Sequence, residues 1–101
     1  MNVPPEIVAP KEDPSVLLLI DEINNAQVVA RDEDGDDLVV FWSVPGGVPY
    51  TERITKLNDF TVFIAELPRA EVLHGSTITA TIIEDRPFPE STDHLFLVEV
   101  P

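Results

Sequence analysis

Carboxylates are the side chains in this sequence whose number and spacing could do chemistry. Four aspartates surround Gly35, at positions 32, 34, 36 and 37, and further acids follow at positions 84, 85, 90 and 93. A hard cation such as Ca²⁺ takes six to eight oxygen ligands, which side chains at this density could supply. The alternative is a solvated turn, because glycine accepts positive φ and aspartate bonds nearby backbone amides. The EF-hand spacing is absent, since counting from Asp32 puts the glycine at position 4 instead of 6.

Other reactive side chains are scarce. The two histidines, His74 and His94, belong to no His-Glu-x-x-His pair, and the chain has no Gly-x-Ser-x-Gly elbow or phosphate-binding loop. Cysteine is absent, which excludes disulfides and thiol chemistry. Because no nucleophile, base and pocket come together, we predict that the protein is not an enzyme and that calcium is its only candidate cofactor.

The formal net charge is −13, from 19 acidic and 6 basic residues. Nucleic acids and anionic lipids attract clustered Lys and Arg, so we expect neither as a partner. Apolar runs such as residues 16–20 are far too short to cross a bilayer, so we expect no direct membrane insertion. The charge fits simple solubility, cation binding or a basic partner.

The strand that follows the first acidic group must position it. Residues 38–44 are mostly β-branched or aromatic, as is typical of strands. Alternation places Leu38, Val40, Trp42 and Val44 on one face and Val39, Phe41 and Ser43 on the other. We predict that the face with Trp42 belongs to the core, because the only tryptophan is the largest side chain that this chain can bury.

Short β-prone segments separated by turn residues extend along the whole chain. We predict strands over residues 15–20, 26–31, 38–44, 50–57, 60–67, 76–83 and 94–100, with one helical turn within 69–73. This pattern predicts an all-β fold, an immunoglobulin-like β-sandwich of about seven antiparallel strands in two sheets. Prolines at positions 4, 5 and 10 indicate that residues 1–10 form an extended leader that could pair only at a sheet edge. Residues 11–101 are then the single domain.

Two segments resemble the PKD and cadherin-like modules of the immunoglobulin fold. Residues 32–44 are similar to the signature D-x-D-G-D-x-L-x-Y-x-W, with Val40 in place of the aromatic residue. Residues 75–85 are similar to the strand G-x-Y-x-V-x-V-x-V-x-D, with Thr77 in place of tyrosine. The Gly-Asp-Gly that commonly follows the tryptophan in PKD domains is replaced by Val-Pro-Gly-Gly-Val. The resemblance implies a module of a bacterial secreted, periplasmic or cell-surface protein, often one of several in tandem.

In an immunoglobulin-like topology the B–C and F–G loops lie at the same end of the sandwich. The acids of both groups would meet there, close to His94, for which we expect a local salt link. We predict a calcium site with four ligands, Asp32, Asp34, Asp36 and Asp85.

The same topology predicts an interaction surface. If Trp42 points inward, the outward residues of the last strand and of the Trp42 strand form two apolar ridges, Val39, Phe41, Leu95 and Leu97, on either side of a threonine row at positions 77, 79 and 81. A contiguous exposed apolar patch usually marks an interface. The alternative is that residues 45–49 or 87–89 fold over it.

We therefore predict a non-catalytic module that acts as a spacer or as an adhesion or protein-interaction domain. Its partners would be another protein or neighbouring tandem modules. One alternative is a carbohydrate- or protein-binding accessory domain of an extracellular enzyme, for which Phe41, Tyr50 and Phe88 are the candidate exposed aromatics. Another is a small acidic regulatory subunit that binds a basic partner.

Overall fold

Eight strands form two four-stranded sheets in the computed structural model, which describes residues 3–101. In chain order they are β1 (Glu6–Ala9), β2 (Ser15–Leu18), β3 (Ile23–Arg31), β4 (Leu38–Ser43), β5 (Thr51–Leu57), β6 (Phe60–Pro68), β7 (Thr77–Glu84) and β8 (Ser91–Glu99). The first sheet has the order β1-β3-β6-β5 and the second the order β2-β8-β7-β4. Two short 3₁₀ turns, Pro45–Gly47 and Glu71–Leu73, lie in connections. No helix among the described residues is long and apolar enough to span a membrane.

The immunoglobulin-like sandwich of about seven strands predicted from the sequence is confirmed, with eight strands among the described residues and one correction. β2 pairs with β8 in parallel, although every other pair is antiparallel. The reason is that the chain changes sheets early. β1 pairs with β3 in the first sheet, and β2, which follows after Pro10 and Pro14, joins the second sheet.

The proline-rich leader takes part in this exchange. β1 lies at the edge of the first sheet, which is where its flanking prolines allow it to pair. Sheet pairing therefore extends into residues 1–10, which the sequence pattern assigned to a linker. Residues 1 and 2 lie outside the described part of the chain. β3 also begins earlier than predicted, at Ile23, because residues 23–25 continue the pairing with β6.

The core lies between the sheets, and its facing follows the predicted alternation. Trp42 is 3% exposed and its ring stacks on Phe96, with centroids 6.2 Å apart. Ile78 and Ile82 of β7 point inward as predicted, and Phe63 of β6 fills the opposite side. A tryptophan buries more area than any other side chain, so this stack makes a large contribution to the free energy of folding.

The two sheets are offset by one strand. β4 of the second sheet packs across from β6, and β1 of the first sheet packs across from β8. The edge strand β5 therefore extends beyond β4, and all of its seven residues are exposed. An edge strand that no opposite strand covers exposes both of its faces to solvent.

Candidate functional site: an acidic end and an apolar outer face

The acidic turn between β3 and β4 meets the end of β7. Gly35 adopts φ 81° and donates its N–H to the carbonyl of Asp32 at 3.1 Å, which closes the turn. The Oδ1 atom of Asp32 accepts the N–H of Asp34 at 2.7 Å, as aspartates in such turns commonly do. The carboxylates that come together, with one oxygen from each lying within 4.8 Å of the others, belong to Asp32, Asp34, Asp36 and Glu84.

The deepest carboxylate of this acidic end is Glu84, which is 2% exposed. Its Oε1 atom accepts the N–H of Glu90 at 2.8 Å. Burial raises the pKa of Asp32, and a hydrogen bond to Glu84 raises it further, whereas the N–H of Asp34 lowers it. The acidic end therefore brings a raised-pKa carboxyl group next to a buried one.

The ligand set predicted from the sequence needs one correction. Asp85 does not point into the acidic end: its side chain is exposed, and its backbone N–H donates to the carbonyl of Asp37 at 2.8 Å. Glu84 takes its place because strand alternation turns residues 78, 80, 82 and 84 inward and residue 85 outward. Four carboxylates with eight oxygens fit the demands of a hard cation in donor type. Calcium binding at this end remains a prediction.

His94 lies in the middle of β8, away from the acidic end, so its predicted position was wrong. It pairs across from Ala80 and is almost completely buried, because residues 94, 96 and 98 share the inward face. The rings of His94 and Phe96 pack edge to face, with their centroids 4.8 Å apart. Loss of hydration lowers the pKa of His94, and the nearby carboxylate of Asp13 acts in the opposite direction.

Ser15, His94 and Asp13 are arranged in the same sequence of contacts as a Ser-His-Asp triad. Nε2 of His94 lies 2.9 Å from Oγ of Ser15, and Nδ1 lies 3.8 Å from Oδ1 of Asp13. The second distance is too long for a hydrogen bond, and the same Oδ1 atom accepts the N–H of Leu95 at 3.2 Å. The imidazole is therefore not oriented by the carboxylate as a catalytic base would be. The contact instead ties β2 to β8 across their parallel pairing.

The outer face of the second sheet is apolar. Phe41 is 65% exposed, and a set of aliphatic side chains is exposed on the same face: Val16, Leu18, Val39, Leu95 and Leu97. β7 lies between β4 and β8 as predicted, so its outward threonines separate two apolar ridges. We call these six apolar residues and the threonine row the outer apolar face. Their exposure means that neither residues 45–49 nor residues 87–89 cover them.

The charges of the outer apolar face have one sign. The outward residues of β8 include Asp93 and Glu99, and both are exposed. Among residues 3–101, no Lys or Arg belongs to the four strands of the second sheet. The bases instead pair elsewhere: Arg53 with Glu66 on the first sheet, for example.

Comparisons with known proteins support the fold. No protein-family model matches the sequence, and no curated protein sequence matches it. A solved structure titled as Dpr2 Ig1-Ig2 in complex with DIP-Theta Ig1-Ig3 is similar over 99% of this chain, with a TM-score of 0.68 at 8% identity. The titin immunoglobulin tandem A164-A165 is similar over 99% of this chain, with a TM-score of 0.57 at 10% identity. A third similar structure is a nucleoside hydrolase-related hypothetical protein from Saccharophagus degradans, described as associated with carbohydrate metabolism. It is similar over 99% of this chain, with a TM-score of 0.57 at 18% identity.

These likenesses establish the immunoglobulin-like β-sandwich. The chain spans 33%, 50% and 26% of those three structures, so it corresponds to one part of each longer chain. At such low identity the similarity concerns the fold alone, since one sandwich serves many unrelated functions. Function must therefore be argued from the surfaces of this chain.

Proposed function

We propose that the protein is a non-catalytic protein-interaction module that binds its partner through the outer apolar face. The observation that carries the proposal is the exposure of Phe41 and its aliphatic neighbours on a continuous sheet surface. Large aromatic side chains are frequent sources of binding energy at protein interfaces. Nothing in the packing of the sandwich requires this composition, because the residues that stabilise the fold point the other way.

Charge specifies the partner. Asp93 and Glu99 flank the outer apolar face on β8, and the whole chain has a net charge of −13. Two copies of the chain would repel each other, which disfavours self-association through this face. A partner with an apolar centre and a rim of Lys or Arg would be both attracted and matched in contact. We therefore propose a basic protein surface as the occupant.

We further propose that the module belongs to a secreted or cell-surface protein and works beside other modules. The resemblance to PKD and cadherin-like modules supports this setting. The structural likeness to immunoglobulin domains arranged in tandem also supports it. A module with such a face could act in adhesion, whereas a pure spacer would not need one.

A display library of helical mini-proteins with randomised surfaces tests the proposal. Such scaffolds are rigid and helical, so they can cover a face but cannot add a strand to a sheet. We expect the selected binders to be enriched in aromatic residues, Lys and Arg. Phe41→Glu should weaken their binding by at least about tenfold without unfolding the domain, because it replaces the largest exposed apolar side chain of the face with a charge.

The matched control is Ile23→Glu on the outer face of the first sheet. Ile23 is 60% exposed, close to the 65% of Phe41, and the substitution adds the same charge. Binding should stay within about twofold of the unmodified protein. Selected binders that depend on Ile23 and tolerate Phe41→Glu would refute the proposal.

A further inference from the structure

We infer that the protein has a second binding site, a groove along the free edge of β4 that accepts an extended peptide as an additional strand. This site uses the backbone edge of β4, whereas the outer apolar face uses the outward side chains of the second sheet, and the two can be tested separately. Two independent features point to it: the unprotected edge of β4 and the uncovered inner face of β5. We call the space between them the edge groove.

Within the part of the chain that the structure describes, β4 is the one edge strand that is neither interrupted, shortened nor charged, although the Tyr50 hydroxyl occupies its Trp42 carbonyl. β1 has Pro5 before it, Pro10 after it and a break in register between Ile7 and Ala9. β2 has only four residues and follows Pro14. Prolines, bulges and short length are the usual means by which native sheets prevent further strands from adding.

The remaining two edges differ in charge. β5 carries three charged residues, Glu52, Arg53 and Lys56. β4 runs from Leu38 to Ser43 in unbroken register with β7 and contains neither a proline nor a charged residue. A flat, uncharged and β-prone edge is a template for strand addition.

The inner face of β5 provides the opposite wall. Ile54 pairs across from Phe63, which is fully buried, so both side chains point toward the second sheet. Ile54 is nevertheless 56% exposed, because the second sheet's edge strand β4 packs across from β6 and leaves β5 largely uncovered. A strand added beside β4 would occupy the position across from β5 and would bury Ile54.

Side chains mark the two ends of the edge groove. Lys56 Nζ donates to Oδ1 of Asp37 at 2.6 Å, just before β4 begins. The hydroxyl of Tyr50 donates to the carbonyl of Trp42 at 3.3 Å, near its other end. These two hydrogen bonds link the flanks of β4 and β5 at the two ends of the edge groove. An exposed ion pair contributes little to stability, so an incoming strand could displace it.

The occupant is an extended segment of another protein with alternating apolar and basic side chains. Backbone hydrogen bonds to β4 would supply affinity that does not depend on sequence, and apolar side chains would pack on Ile54 and Val40. Basic side chains would face an acidic domain of net charge −13. Pairing of β4 with β4 of a second copy would bring two such charges together, which argues against that occupant.

Synthetic peptides that alternate lysine and valine test the inference, because N-methylation removes backbone donors and leaves the charge unchanged. The probe Lys-Val-Lys-Val-Lys-Val-Lys should bind the intact protein. The same peptide methylated along one edge should still bind through its other edge, whereas methylation of both edges should abolish binding. Hydrogen exchange should show new protection in β4 when the probe is bound.

Two matched variants locate the site. Ile54→Asn should weaken binding of the probe by about tenfold, because it removes the apolar wall. Ile20→Asn, at 57% exposure beyond the far end of β2, should have no effect. Equal binding of all three peptides would show charge attraction alone and would overturn the inference. So would protection confined to β1, β2 or β8, or a β4-paired dimer. Phe41→Glu with the helical binders tests the proposed function separately.

Discussion

The two outer faces of the sandwich differ in composition although both belong to four-stranded sheets. The first sheet mixes polar residues such as Asn25 and Gln27 with exposed apolar ones such as Ile23, and it carries the ion pair between Arg53 and Glu66 at 3.4 Å. The second sheet presents Phe41 and aliphatic side chains, with acids as its only charges among the described residues. Folding does not require this difference, because the residues concerned point away from the core. A selective pressure on binding does explain it.

The largest expected effect on stability comes from Trp42, on the inward side of β4. Trp42→Ala should lower the free energy of unfolding by about 3–5 kcal/mol, because it leaves a cavity beside Phe96. Chemical denaturation followed by circular dichroism measures this loss. A loss below about 1 kcal/mol would mean that residue 42 is not part of the core, and the assignment of inner and outer faces would be reversed.

Calcium at the acidic end should have a smaller effect. A concentration of about ten times the Kd stabilises a protein by about 1.4 kcal/mol, or about 5–10 °C in Tm for a domain of this size. Asp34→Asn should remove the shift because Asp34 belongs to the cluster, whereas Asp85→Asn should keep it. Melting curves in calcium and in chelator that superimpose would show that the acidic end is only a solvated turn.

The pH dependence of stability should follow His94. Burial lowers its pKa in the folded state below the usual value of about 6.5, so the unfolded chain binds the proton more readily. Its contribution is complete above about pH 6.5 and is lost as the pH falls through the lowered folded-state pKa. Denaturation at pH 7.5 and pH 5.5 should show this loss, and His94→Gln should reduce it. An unchanged difference in the variant would assign the effect to carboxylates instead.

The smallest effects are expected on the two outer faces. Arg53→Ala removes an exposed ion pair and Phe41→Ala removes an exposed ring, so each should change the free energy of unfolding by less than about 0.5 kcal/mol. Differential scanning calorimetry compares the two directly. A loss of several kcal/mol for Phe41→Ala would mean that the outer apolar face stabilises the fold, and the comparison between the faces would fail.

Apolar and polar residues alternate along each strand, and this alternation predicted both the sandwich and which side chains point into its core. Trp42 points inward and Phe41 outward because successive side chains alternate, and the same rule placed Ile78 and Ile82 in the core. The same parity also indicates that Glu84 and His94 point inward. Both were missed because acids and histidines are usually assigned to the surface.

Long-range pairing was not predictable from local patterns. The parallel pairing of β2 with β8 joins residues about 80 positions apart, and nothing within residues 15–18 specifies it. The offset between the sheets, which exposes Ile54, also depends on packing across the whole sandwich. The edge groove therefore became visible only in the structure.

The most direct test of the central claim compares the two outer faces with one binder. A helical mini-protein selected on the unmodified protein is titrated against Phe41→Glu and against Ile23→Glu by calorimetry. Relative to the unmodified protein, we predict a Kd that is at least about tenfold higher for Phe41→Glu and within about twofold for Ile23→Glu. Equal values for the two variants, or a loss confined to Ile23→Glu, would contradict the assignment of binding to the second sheet.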